Sequence, residues 1–267
     1  MSLGTPSRRA VRETVVLARA VAYKSLVLRV RYAFNTVTSL VTIYVFFALL
    51  VFGGRELAPQ AIANTLDGIV VGFFLLLMAT VAYADLSWDL TREAQWGTLE
   101  QLYMSPQGFG RVVAVKTGVN LLVSFGYGAV LLALMVATTG VSLALDPLTV
   151  VPLGLLTLAS AVGVGFALGG LALVFKRIEN LFQLVQFAFV ALVALPVEEA
   201  PVLKLLPLSL GSHLLRRAMG EGVALWDLPT GDLALLCLTA AGYLGCGYVL
   251  FRRLSREARR RGTLGQY

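Results

Sequence analysis

Glu198 and Glu199 are adjacent carboxylates, a pairing that suits hard cations such as calcium or magnesium. No third or fourth oxygen ligand is identifiable beside them, so they read as part of a solvated loop. His213 is the single histidine and reads as a surface or interface residue of the same region. Hydrolytic chemistry needs a nucleophile with its base, or a metal with several ligands. With one histidine, the chain has no H-E-x-x-H pair. Cys237 and Cys246 would lie roughly 13 Å apart along one helix and on opposite faces, too far for a disulfide, and they read as packing residues. No phosphate-binding G-x-x-x-x-G-K-[ST] loop occurs. Gly163, Gly165 and Gly169 mimic a nucleotide glycine motif but sit in an apolar run with no strand before them. Their spacing, Gly165-x-x-x-Gly169 above all, suits close helix packing.

The elements that hold these residues are apolar. The 267 residues are 58% hydrophobic and only 14% charged, with a mean hydropathy of +0.80. A soluble domain carries about 25% charged residues on its surface. Residues 32–54, 68–84, 117–145, 147–175, 180–197 and 233–251 contain no Asp, Glu, Lys or Arg. About 20 helical residues cross a hydrocarbon core of ~30 Å, and the runs lack the alternation of a membrane strand. The expectation is an all-α membrane protein with six transmembrane helices. Thr14 to Tyr23 is broken by Arg19 and has no small-residue cleavage site, so the first span is expected to be retained as an anchor.

Eighteen of the 22 Lys and Arg fall before the first run, after the last, or in the loops on that side; Arg55, Lys204, Arg216 and Arg217 fall opposite. The positive-inside rule then puts both termini in the cytoplasm. Arg8, Arg9, Arg12, Glu13, Arg19 and Lys24 cluster on one half of a helical wheel, opposite Val11, Ala18, Val21 and Ala22. Either an interfacial helix or a disordered basic leader would account for the pattern. The basic tail, residues 252–267, has anionic lipid headgroups as its simplest partner, and nucleic acid is not expected. The chain is expected to form one transmembrane unit: residues 1–31 at the interface, 32–251 as the bundle, and 252–267 as the tail.

One polar island interrupts this pattern, Glu93 to Pro106. Thr98-Leu99-Glu100-Gln101 fits a capping box, and Glu100 in the first turn meets the positive end of the helix dipole. Gly97 frees the backbone before it, and Pro106 disfavours helix at Ser105. Leu99, Leu102 and Tyr103 form a ridge on a helix too short to be stable alone. It must dock on its own bundle, on the membrane interface, or in a groove of another protein.

Glu93, then Gly97-Thr98-Leu99-Glu100-Gln101-Leu102, with Ser105-Pro106 behind, resembles the segment between the second and third spans of type-2 permeases of ATP-binding cassette (ABC) exporters. The layout of an interfacial N-terminal helix, six spans, cytoplasmic termini and a polar region before the last span is similar to that family along essentially the whole chain. The resemblance implies a permease dimer, of two copies or of a copy and a paralogue, in the cell membrane. Each half would be driven by a separate cytoplasmic ATPase subunit that binds ATP and Mg, so this chain would be no enzyme and would bind no cofactor or metal. Glu93, Gly97, Thr98, Leu99, Glu100, Gln101, Leu102 and Tyr103 would carry the main coupling helix, and Lys176, Arg177 and Glu179 a second contact. Partly re-entrant outer helices would precede the last span, with Leu206-Pro207-Leu208-Ser209 as their turn.

Two other function classes make different demands. A secondary transporter or channel commonly carries mid-membrane ionisable residues or an inverted repeat, whereas Asp67 and Asp85 bracket the second run at its ends. A membrane-embedded enzyme would need the catalytic groups that the single histidine outside the runs does not supply. The cargo suggested by Phe46, Phe47, Phe73, Phe74, Phe187 and Phe189 along an apolar path is a drug, a lipid or another amphipathic molecule.

Overall fold

The computed structural model describes residues 8–95, 104, 109–175 and 178–260, and these contain helices and no strand. The segment Gly97 to Tyr103, expected to carry a coupling helix, lies outside the described residues, as do Lys176 and Arg177. Helix α1 (Arg8–Arg31) ends where Tyr32 leaves helical geometry, and α2 (Ala33–Ala48) follows. A π turn over Leu49–Gly53 leads into the short α3 (Gly54–Leu57). Ala58 then turns the chain (φ −146°, ψ 68°) into α4 (Pro59–Gln95), whose proline fits the first helical position.

Helix α5 (Phe109–Thr139) stops at Gly140, which adopts a positive φ of 71° and donates to the Val136 carbonyl. Asp146 caps α6 (Pro147–Val174): its carboxylate accepts from the Leu148 amide (3.1 Å) and the Thr149 hydroxyl (2.6 Å). A turn at residues 175–178 leads to α7 (Glu179–Ala194). A 3-10 turn at Pro201–Leu205 precedes α8 (Ser209–Gly220), and α9 (Thr230–Arg260) closes the fold.

Among the described residues, five helical segments are long and apolar enough to cross a membrane: Val37–Leu57, Pro59–Tyr83, Phe109–Thr139, Pro147–Val174 and Thr230–Ala258. The run at 180–197, read from sequence as a sixth span, forms a helix of only 16 residues, roughly 24 Å long. Its chain becomes extended at Leu195, before Pro196, where the pyrrolidine ring disfavours helix.

The bundle is built around α6. Buried residues make up 61% of its apolar window against 11% for the Val37–Leu57 segment, which places α6 at the centre and α2 at the edge. Glycines set the closeness of its contacts. A Cβ on Gly163 would land on the Tyr243 carbonyl of α9, and one on Gly247 would land on the Gly163 carbonyl. Gly165 faces α4, where an added Cβ would lie 3.0 Å from the Tyr83 carbonyl oxygen, and the Ser87 hydroxyl donates to the Gly165 carbonyl at 2.8 Å. The glycine run thus serves helix packing, as its spacing predicts.

Outward-facing side chains are as apolar as the core. Val37, Val41, Val45 and Leu49 recur every fourth residue along the edge of α2 and are all exposed. Water would oppose such a face, whereas lipid accepts it, so the chain is a multi-pass membrane protein. Cys237 and Cys246 are also exposed, which corrects their reading as packing residues. Helix α1 lies along α5, where the Arg29 guanidinium donates to the Tyr127 hydroxyl at 2.8 Å and sits 5.0 Å from its ring centroid.

Candidate functional site

Two features of the bundle could bear function, one at each end. At the first, Tyr83 of α4 donates through its hydroxyl to the Phe182 carbonyl of α7 (3.2 Å), and Trp88 stacks on the Phe182 ring at 5.2 Å. The late part of α4 therefore lies beside the start of α7. Glu93 falls in the last turn of α4 and Glu179 is the first residue of α7. The helices that flank the two polar segments singled out in the sequence are thus neighbours.

At the opposite end, α8 covers the C-terminus of α7. A helix leaves its last four carbonyls without intrahelical partners, and away from water each needs another donor. The Ser209 hydroxyl donates to the Leu192 carbonyl (3.1 Å), the Ser212 hydroxyl to that of Val193 (3.0 Å), and the Arg216 guanidinium also to that of Val193. Their spacing puts all three on one face of α8. Leu208 holds the entry with a positive φ of 67°, and its amide donates to the Ser160 hydroxyl (3.2 Å). Gly211 allows the approach to α6, since a Cβ there would overlap Thr157. Lys204 and Asp232 bridge at 2.8 Å, fastening the preceding turn to α9.

The same end contains a cavity of about 420 Å³ between the π turn at Leu49–Gly53, α4, α7 and α8. Gly68 and Gly72 form its floor, one helical turn apart on α4, and Val190, Val193 and Ala194 form the facing wall. Added Cβ atoms at Gly68 and Gly72 would reach only ordinary contact, 3.6 Å from Arg216 and 3.4 Å from Val193. The glycines thus keep open space that larger residues would fill. Arg216 lines the cavity, its Nε is buried without a partner, and no described carboxylate lies within salt-bridge distance of it.

Of the six phenylalanines suggested as a path, only Phe73 lines this cavity. Phe47, Phe74 and Phe189 are buried in the core, and Phe46 and Phe187 point outward. Phe47 packs edge-on against Phe73 and Phe189 against Tyr83, contacts that hold helices together. Hydrophobicity alone does not separate lining from packing.

Glu198 is exposed, 3.6 Å from His213 Nε2, and the described residues contain no cluster of three metal-ligating side chains. His213, read as a surface or interface residue, is half-buried in α8. Burial pushes its pKa down, Glu198 raises it in partial compensation, Arg217 and Lys204 lower it further, and Asp232 raises it. Asp67 is exposed and sits two turns inside α4 instead of at its end, because the helix already begins at Pro59. The residues missed by sequence reading are Ser209, Ser212 and Arg216, although their one-sided spacing in an apolar segment was a readable signal.

No protein-family model matches this chain, and no curated protein matches it.

Proposed function

We propose that this chain is the membrane-spanning permease subunit of an ABC exporter. It forms a dimer around the translocation path and takes its drive from a separate cytoplasmic ATPase that binds ATP and Mg. In this reading α7 completes a set of six spans, α8 and the turn before it form the partly re-entrant outer segment, and both termini face the cytoplasm of the cell membrane. The Glu93 to Tyr103 segment is the main coupling element, and Lys176, Arg177 and Glu179 are the second contact.

One structural observation carries the reading beyond the sequence resemblance: Trp88 on Phe182 brings the end of α4 beside the start of α7. A docked motor subunit would then meet both polar segments at once. Coupling by this route needs two bundle packings of similar energy, each favoured by a different nucleotide state.

The test is to purify the chain alone and with the product of its neighbouring gene, which the reading expects to be an ATP-binding cassette subunit, in the same lipid nanodiscs. ATP hydrolysis should be absent from the chain alone, present in the complex, and altered by this chain relative to the isolated ATPase. Failure of the two to co-purify, or hydrolysis indifferent to the chain, would overturn the reading.

A further inference from the structure

We infer that the cavity floored by Gly68 and Gly72 binds a single-tailed anionic amphipath, its head on Arg216 and its tail running down α4. As a statement about cargo this rests on the permease reading above; as a statement about binding it does not.

The cavity is graded along its length. Arg216 lies beside Gly68, one turn from Asn64 and Thr65, while Ile69, Phe73 and Leu76 succeed one another along α4 away from that polar end. From Asn64 to Leu76 the helix rises roughly 18 Å, so head and tail have separate places. The volume of about 420 Å³ lies near the lower end of the ~300–1,000 Å³ typical of small-molecule pockets, room for one chain and not two.

Charge selects the head. A guanidinium has five N–H donors, and Arg216 places one contact on the Val193 carbonyl while its buried Nε has none. A cation withdrawn from water without a counter-ion is unfavourable. No carboxylate lines the cavity to neutralise it. A phosphate or carboxylate head satisfies the charge and can take two donors in the forked geometry that arginine favours.

The probe is radiolabelled n-dodecyl phosphate, measured on the full chain in phosphatidylcholine nanodiscs against empty discs. Saturable binding of one molecule per chain is expected, displaced far better by unlabelled dodecyl phosphate than by dodecyltrimethylammonium. Arg216→Gln should weaken it at least tenfold, Arg216→Lys less, and Arg217→Gln not at all, since Arg217 already faces Glu221 at 3.5 Å. Gly72→Leu should abolish binding with Arg216 still in place, which keeps the test decisive if Arg216→Gln fails to fold. Unchanged affinity in Arg216→Gln or Gly72→Leu would overturn the inference. So would equal displacement by dodecyltrimethylammonium or by two-tailed phosphatidylglycerol. None of these measurements involves ATP, so a failure of the ATPase pairing leaves them intact.

Discussion

Arg216 of α8 donates to the carbonyl of Val193, one residue before the end of α7, and Ser212 donates to the same oxygen at 3.0 Å. A helix that stops inside apolar surroundings has carbonyls that water cannot reach, and α8 supplies the missing donors. The contact is thus both a cap on one helix and a dock for another.

Replacing Ser212 by alanine should cost about 1 kcal/mol, the net worth of an ordinary buried hydrogen bond. Adding Ser209→Ala strips the Leu192 carbonyl as well and should raise the loss to about 2 kcal/mol. Thermal unfolding in neutral detergent measures it. A double variant as stable as the parent would mean that the hydroxyls contribute nothing to holding α8.

The α6–α9 contact should tolerate no side chain at Gly247, because a Cβ there meets the Gly163 backbone, which cannot move aside as a flexible side chain would. Gly247→Val should therefore destabilise by about 1–3 kcal/mol or more. Gly242 lies on the same helix with open space around it. Gly242→Ala, with unfolding followed in the same way, should be neutral or slightly stabilising.

Coupling should fail while insertion survives when the polar island is altered. Glu100→Lys reverses the charge at the helix start expected from the sequence, and Gly97→Trp removes the freedom to turn ahead of it. On the permease reading proposed above, both variants should reach the membrane in normal amounts, retain hydrolysis by the proposed ATPase and lose most transport. Normal pumping by both would remove the coupling role from this segment.

Acid should weaken the seating of α8 through His213. Burial holds its folded pKa below the ordinary histidine value, so the fold favours the neutral ring. That contribution is complete above the unfolded value of about 6.5 and is lost as pH falls through the lower, folded one. His213→Gln should flatten this part of the melting profile between neutral and mildly acid pH. Glu198→Gln should steepen it, since Glu198 is what favours the charged ring against Arg217 and Lys204. Parallel profiles for all three proteins would exclude His213 as the source.

Long elements were legible because their signal is a whole run. The uncharged stretches foretold six apolar spans, and among the described residues five form helical segments long and apolar enough to cross a membrane; the glycine run from Gly163 to Gly169 foretold close packing, which Gly163 and Gly165 make. Ends were harder to read. Asp85 closes the uncharged run, yet α4 continues to Gln95, because a helix leaving the apolar layer meets no penalty for carrying charge. The length of α7 was overestimated for the converse reason: Leu195 and Val197 are apolar, but Pro196 decides the geometry. Arg216 was counted as a loop charge because its partner is a backbone carbonyl, a group that no residue type announces.

The Tyr83 backbone of α4 is pressed on Gly165 of α6. That point lies ten residues from Glu93 and eleven from Gly72 on a helix without a break. Ser87 on the Gly165 carbonyl, and Phe74 and Met78 against Gly128, grip the same helix on either side of it. A displacement at Glu93 can therefore reach Gly72 only by carrying these packed turns with it.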